Sequence, residues 1–267
     1  MSLTATYDGV LSRIKLAGTA LGASATYAVF DRTIDGGITY TTVRGGSAAP
    51  VASQLANLDD YEFPVGVAIT YRVRSYNASN VLQQTFTTAI TQGLTQPWLK
   101  VPAAPFLNQP VEVVGAQNKA RRTRAGVFDI KGRTNPVVVS DVASSWGFTL
   151  QLLTRTAGAY SNLDYLFASG EVLLLQLPAG EENRVPAGYL AVVGDIGEES
   201  LLRRSWNRVW SVPVQQVAAP GVDVVGSAYT WGSAVADYAT WTSLIAANAT
   251  WTALLAHTGT PSDVIVP

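Results

Sequence analysis

The chain of 267 residues contains no cysteine and a single histidine, His257. Disulfide frameworks, thiolate catalysis, zinc ribbons and iron–sulfur clusters are thereby excluded. A multi-histidine metal site cannot be built from one copy, and His257 reads as a polar residue at a helix end. Charge is also scarce: 14% of residues are Asp, Glu, Lys or Arg, against about 25% in an ordinary soluble domain. The 18 basic and 19 acidic residues leave a formal net charge of −1, which argues against a global attraction to nucleic acid or to an anionic membrane. No apolar run approaches the ~18 residues of a membrane helix, so no membrane insertion is expected. Residues Met1–Asp8 show no basic segment followed by an apolar run, so neither is a secretory leader; assembly in a cytoplasm is the expectation. What is plentiful is apolar: 48% of the chain. That excludes disorder for most of it. With so little charge, and a mean hydropathy of +0.17, it also predicts large surfaces buried against other chains. The length suggests about two domains and a tail.

Residues 1–95 are rich in Thr, Val, Tyr and Ala and read as short strands between turns. Tyr27-Ala28-Val29-Phe30 is aromatic and apolar, and Thr39–Val43 follows an Asp35-Gly36-Gly37 turn. In Ile69–Tyr76, residues Ile69, Tyr71 and Val73 share one face, and Thr70, Arg72 and Arg74 the other. Asn77–Asn80 then turns the chain into Leu82–Ile90. Five or six such strands predict an antiparallel sandwich.

Residues 96–105 hold Pro97, Pro102 and Pro105, predicting an extended connector and domain boundary. Residues 106–220 read as strands at Val111–Val114, Ala125–Ile130, Pro136–Ser140, Trp146–Leu153, Glu171–Leu177, Tyr189–Asp195 and Arg208–Val214. One helix is predicted over 159–168, from apolar residues at 160, 163, 166 and 167, with Gly170 as its stop. This pattern predicts a β-barrel or sandwich with one inserted helix. In residues 221–267, Thr-Trp recurs every ten residues at Trp231, Trp241 and Trp251. Each Thr is placed to cap a short helix, and each ring is expected to pack, with stacking on sugar as the alternative.

The densest charge cluster is Lys119, Arg121, Arg122, Arg124, Lys131 and Arg133, with Asp129 as its one acid. It reads either as a phosphate-binding surface or as a hairpin matched to the acids of a neighbouring chain, and the neutral net charge favours the latter. Arg203, Arg204 and Arg208 lie close after Glu198-Glu199, which favours ion pairing. Acid pairs able to support glycoside hydrolysis occur at Asp59-Asp60, Glu181-Glu182 and Glu198-Glu199. All three are read as solvated turn residues, so no enzyme and no cofactor is expected. The Asn-x-Ser/Thr patterns at Asn77 and Asn248 are read as accidental.

The run Phe63-Pro64-Val65-Gly66, followed by Tyr71-Arg72-Val73-Arg74-Ser75, resembles the closing motif of fibronectin type III domains. The resemblance makes Tyr71 the corner tyrosine, with a hydroxyl bonded to nearby backbone, and gives Pro64 and Gly66 the preceding loop. Tyr27-Ala28-Val29 is similar to the family's Tyr-x-Val strand, although no tryptophan precedes Trp98. The layout as a whole resembles the minor tail proteins of long-tailed phages and prophages of actinobacteria. It includes Ala125–Arg133, Phe148–Thr156, Gly188–Ile196 and the Thr-Trp repeats. That resemblance implies a virion protein of the tail tip, with residues 106–220 a split β-barrel like those of tail-tube and distal-tail proteins. It implies a homo-oligomeric ring, six copies first and three second, that contacts other tail-tip and tail-tube proteins. Lys119, Arg121, Arg122, Arg124 and Arg133 would then face another subunit. Trp231, Trp241 and Trp251 would dock on a neighbour. A receptor-binding module for host surface glycan is the competing reading.

Overall fold

The computed structural model describes residues 2–132, 134–181, 184–200, 206–221 and 240–247. The described residues are mainly strand, and every strand pairing is antiparallel. The first region has two sheets. Strands β1 (Ser2–Asp8), β2 (Arg13–Thr19) and β6 (Ala56–Asp60) form one, in the order β1-β2-β6. In the other, β4 (Thr41–Thr42), β3 (Tyr27–Thr33), β7 (Ala68–Tyr76) and β8 (Leu82–Thr91) lie in that order, with β5 (Ala49–Pro50) also on β3. Both sheets contribute to one core, including Ile14, Leu16, Phe30, Phe63, Ile69 and Tyr71. The period-2 pattern of β7 is as expected: Ile69, Tyr71 and Val73 are buried, and Thr70, Arg72 and Arg74 half-buried. Asn77 closes the β7–β8 turn by accepting hydrogen bonds from the backbone N–H groups of Ser79 and Val81, and Asn80 takes the left-handed conformation that a tight turn demands.

Residues 96–105 are not a free connector. Trp98–Lys100 is a strand, β9, held between β10 (Gln109–Pro110) and β15 (Leu173–Gln176). A 3-10 turn over Pro105–Leu107 follows it. All three β9 side chains are buried. Because a strand's side chains alternate, this one strand serves two cores. Trp98 packs into the first core, while Leu99 and Val101 pack into the second. The prolines flank the paired residues rather than interrupt them, where a missing N–H costs little.

The second region is one large sheet. Its order is β10-β9-β15-β16-β18-β14-β11, with β11 (Glu112–Arg121), β14 (Trp146–Thr154), β16 (Gly188–Val192) and β18 (Arg208–Gln216); β17 (Gly197–Ser200) also pairs with β18. Its two end strands, β10 and β11, are separated in sequence by Val111 alone, yet β10 pairs with β9 and β11 with β14. The hydrogen-bond ladder is therefore open rather than a closed barrel. Helix α1 (Ala157–Ala168) covers the sheet, burying Leu163 and Leu166. Thr156 caps its first turn, accepting from the N–H of Ala159. Gly170, at φ +68°, ends it as expected, its N–H donating to the carbonyl of Phe167.

The two regions meet at the loop after β6. Lys100 is 1% exposed, and its Nζ donates to the carbonyl oxygens of Ser12 at 2.5 Å and Tyr61 at 2.8 Å. The same Nζ lies 4.8 Å from the centre of the Phe63 ring. Burial pushes the Lys100 ammonium down to about 7, against the pull of Asp60 and Glu62. Gln176 of β15 donates to the carbonyl of Phe63, and the Tyr189 hydroxyl of β16 to Glu62. Arg44 forms a two-pronged pair with Glu62 and also donates to the carbonyls of Pro220 and Gly221.

Candidate assembly interface

Strands β11 and β14 form a long hairpin that outgrows its sheet. Their ladder has register shifts at Val113/Gly115 and Gln117/Ala120 and ends at Arg121 opposite Trp146. The chain does not turn there. The N–H of Arg122 donates to the hydroxyl of Ser144, the N–H of Ser144 to the carbonyl of Arg122, and the N–H of Asp141 to the carbonyl of Arg124. Beyond these, β12 (Ala125–Phe128) pairs with β13 (Val137–Ser140) as a separate two-stranded sheet. Seven residue steps separate Arg121 from Phe128, enough to reach about 23 Å when fully extended at ~3.3 Å per residue.

The arm is apolar on both faces. Val127 opposes Val138 on one face, and Phe128 opposes Val137 on the other. Val127, Phe128, Ile130, Val138, Val139 and Val142 are all exposed, from 46% for Ile130 to 79% for Val142. A strand with one wet face alternates apolar and polar residues, whereas a run such as Val137-Val138-Val139 belongs to strands covered on both sides. An isolated two-stranded hairpin is at best marginally stable in water. Gly126 fits this exposed design: a Cβ there would come within 2.8 Å of the Phe128 ring, which folds back over the strand.

The basic residues lie along the arm and its root. Lys119, Arg121, Arg122, Arg124 and Lys131 are exposed, and none forms an ion pair among the described residues. Lys119 and Arg121 flank the Trp146 ring, at 4.6 Å and 4.4 Å from its centre. Arg133 lies outside the described residues, as do Trp231, Trp251 and His257. Trp241 opens a short helix, α2 (Trp241–Ala247), and is 62% exposed; it is Leu244 that is buried. Thr240 caps this helix as expected, accepting from the N–H of Ser243, whose hydroxyl lies 3.2 Å from the Thr240 N–H.

Away from the arm, Tyr71 is fully buried, but its hydroxyl donates to the Asp60 carboxylate at 2.7 Å rather than to backbone. Asp60 relays that tie: it also accepts from Arg32 at 2.6 and 2.7 Å and from the N–H of Glu62. Burial and the Asp60 charge push the Tyr71 hydroxyl well above the usual phenol range. Gly66, at φ +73°, turns the loop after half-buried Pro64, and its N–H donates to the carbonyl of Gln92. Tyr27 stacks on Tyr76 at 5.3 Å, and its hydroxyl donates to Asn80.

Two of the acid pairs are not turn residues. Asp59 and Asp60 end β6, where Asp59 bonds Arg13 and Asp60 is 1% exposed. Glu198 and Glu199 lie in β17; Glu198 pairs with Arg208 at 2.7 Å, as their proximity in sequence suggested, and accepts from the Tyr160 hydroxyl. Glu181 is in a loop, and Glu182 lies outside the described residues. An open groove of about 510 Å³ runs between β10–β11 and the start of α1, with the Glu112–Arg155 ion pair among its lining. Among the described residues no three His, Cys, Asp or Glu side chains are grouped to hold a metal ion, and no helix is long and apolar enough to cross a membrane.

Sequence reasoning found the basic cluster but missed what accompanies it. In sequence the apolar run Val137–Val139 reads as a core strand, and nothing local marks it as part of a separate two-stranded sheet. Compared with protein-family models, curated proteins and solved structures, the chain matches none.

Proposed function

We propose that this protein is a structural component of a phage tail tip, assembling as a homo-oligomeric ring that joins the tail tube to the host-recognition apparatus. The arm carries the proposal. It exposes apolar side chains on both faces and an unmatched group of cations, a combination that is costly to leave in water and is relieved by a neighbouring subunit. The sheet orders support the finer fold reading. The order β1-β2-β6 facing β4-β3-β7-β8 is compatible with a fibronectin type III-like domain. A sheet whose end strands are one residue apart, with one helix across it, is compatible with a split barrel of the tail-tube and distal-tail kind. Lys119, Arg121, Arg122, Arg124 and Arg133 then face another subunit.

The test is the mass of the purified assembly by native mass spectrometry. Six copies are expected, with three as the second stoichiometry; a stable monomer within assembled tails overturns the reading. A glycan-binding module is the second reading, favoured by the 62% exposure of Trp241. It requires that ring to lie open in the assembly, so strong solvent quenching of Trp241 fluorescence in tails would support it.

A further inference from the structure

One buried cation has no counter-charge within reach, and it stands where the two regions meet. The backbone of Lys100 belongs to the second region, in β9 opposite Leu174 of β15. Its side chain crosses to the first, where Nζ donates to the carbonyls of Ser12 and Tyr61 and lies beside the Phe63 ring. No carboxylate among the described residues is within ion-pairing distance of it. The two acids whose charge it feels, Asp60 and Glu62, are committed elsewhere. Asp60 holds Arg32 and the Tyr71 hydroxyl, and Glu62 holds Arg44 and the Tyr189 hydroxyl. Arg13 donates to the hydroxyl of Tyr61. An ammonium held this way is desolvated without being neutralised, which favours its neutral form.

The joint is under-satisfied in other ways too. Ser12 is fully buried with a left-handed backbone, φ +47°, which is costly for a residue that has a side chain. Its Oγ has no hydrogen-bond partner. Gln176 donates its amide to the Phe63 carbonyl, and its own Oε1 is buried and unpartnered. Parting the regions would hydrate both oxygens as well as the ammonium, and each region keeps a core of its own.

We propose that this joint is a proton-operated latch, closed on a neutral Lys100 and opened when that amine takes up a proton. The latch is independent of the ring. Burial holds the closed-state amine down to about 7, whereas a hydrated lysine titrates near its ordinary 10.5. Between those values the open form binds more protons, so lowering the pH from 10.5 to 7 favours opening by about tenfold per unit. Below 7 both forms are charged and the effect levels off. Burial pushes the Tyr71 and Tyr189 hydroxyls up and out of this window. The chain has no cysteine and one histidine, so little else titrates between pH 7 and 9.

Thiol labelling of the full chain tests it, with one cysteine introduced at a time. Ser12→Cys and Gln176→Cys place a thiol on either side of the joint. Exposed Ala78→Cys is the reference that corrects each rate for the thiol's own ionisation. Relative to that reference, both joint thiols label about tenfold faster for each unit the pH is lowered from 9 to 7, and level off below 7. Adding Lys100→Met makes both ratios independent of pH; should that chain fail to fold, Lys100→Gln replaces it with the same expected result. Ratios independent of pH with Lys100 present, or a slope unchanged by its replacement, overturn the latch. A slope at Ser12→Cys alone assigns the opening to the β1–β2 turn and overturns it as well. Val73→Cys, in the first core, labels far more slowly than the joint thiols; equal rates would mean that the whole region unfolds and would refute a latch. His257→Gln leaves the slope intact, and a slope lost with it belongs to the histidine instead.

Discussion

The two regions handle charge in opposite ways. In residues 2–98 every cation is matched: Arg13 and Lys15 with Asp8, Arg13 also with Asp59, Arg32 with Asp60, Arg44 with Glu62, and Arg72 and Arg74 with Asp31. Asp35, the remaining acid, accepts from the N–H groups of Ile38 and Thr39 in its own loop. Among the described residues of the second region the ion pairs are Arg155 with Glu112 and Arg208 with Glu198, while Lys119, Arg121, Arg122, Arg124 and Lys131 on the arm and its root form none. A region whose polar groups are satisfied internally can present a neutral surface and depend on nothing else. One whose cations stand unmatched on an exposed arm keeps their electrostatic energy for a contact between molecules. The same sheet-forming chemistry thus gives a unit whose charges are matched within the copy and, on the proposed reading, an assembling one.

The largest effect that would break this comparison lies in the first region. Asp60→Ala removes the acceptor for Arg32, Tyr71 and the Glu62 N–H, leaving Arg32 largely buried and unmatched. A loss of about 3–5 kcal/mol is expected from breaking a buried pair on one side, read by urea unfolding; a loss under about 1 kcal/mol would mean that the first region's pairing is incidental. Tyr71→Phe comes next. It deletes one hydrogen bond to a charged acceptor and should cost about 1.5–3 kcal/mol with the assembly unaffected.

The joint between the regions sharpens the comparison through pH. The Lys100 ammonium is held down to about 7, from an ordinary 10.5. Between those values the unfolded chain keeps a proton that the folded protein has released. Stability therefore rises with pH from 7 to 10.5, by up to about 1.4 kcal/mol per unit, and the gain is lost as pH falls back through 7. The neutral amine retains two N–H donors for Ser12 and Tyr61, so the joint survives the loss of its proton. Lys100→Met should flatten that slope in thermal unfolding across the window; an unchanged slope would place the titration elsewhere. The smallest expected effect is on the arm. Val138→Asn should change chain stability by no more than about 0.5 kcal/mol, as at an ordinary exposed site, while reducing oligomerisation. A large stability loss would show that the arm is covered by its own copy.

Much of the framework was legible wherever the signal was local. The alternation in Ile69–Tyr76 defined the buried face of β7, the Asn77–Asn80 turn located β8, and apolar spacing with Gly170 found α1. What escaped were pairings between residues far apart in sequence. Trp98–Lys100 sits among prolines, and nothing local announces that residues 174–176 will flank it as β15. Asp60 was read as a turn residue because two acids followed Leu58. Yet it shares the strand face of buried Ala56, and an acid on an apolar face is itself a signal of a partner, here Arg32, 28 residues earlier. In the arm, the basic residues stood out by composition. The apolar run Val137–Val139 looked like an ordinary core strand, and only its isolation in the fold reveals it as surface.

Hydrogen exchange of the backbone amides in β12 and β13, compared between the dissociated chain and the purified assembly, tests the central claim most directly. If a second copy covers the arm, these amides exchange quickly in the dissociated chain and become protected in the assembly, while β7 is slow in both. Equally fast exchange of the arm in both states would contradict it.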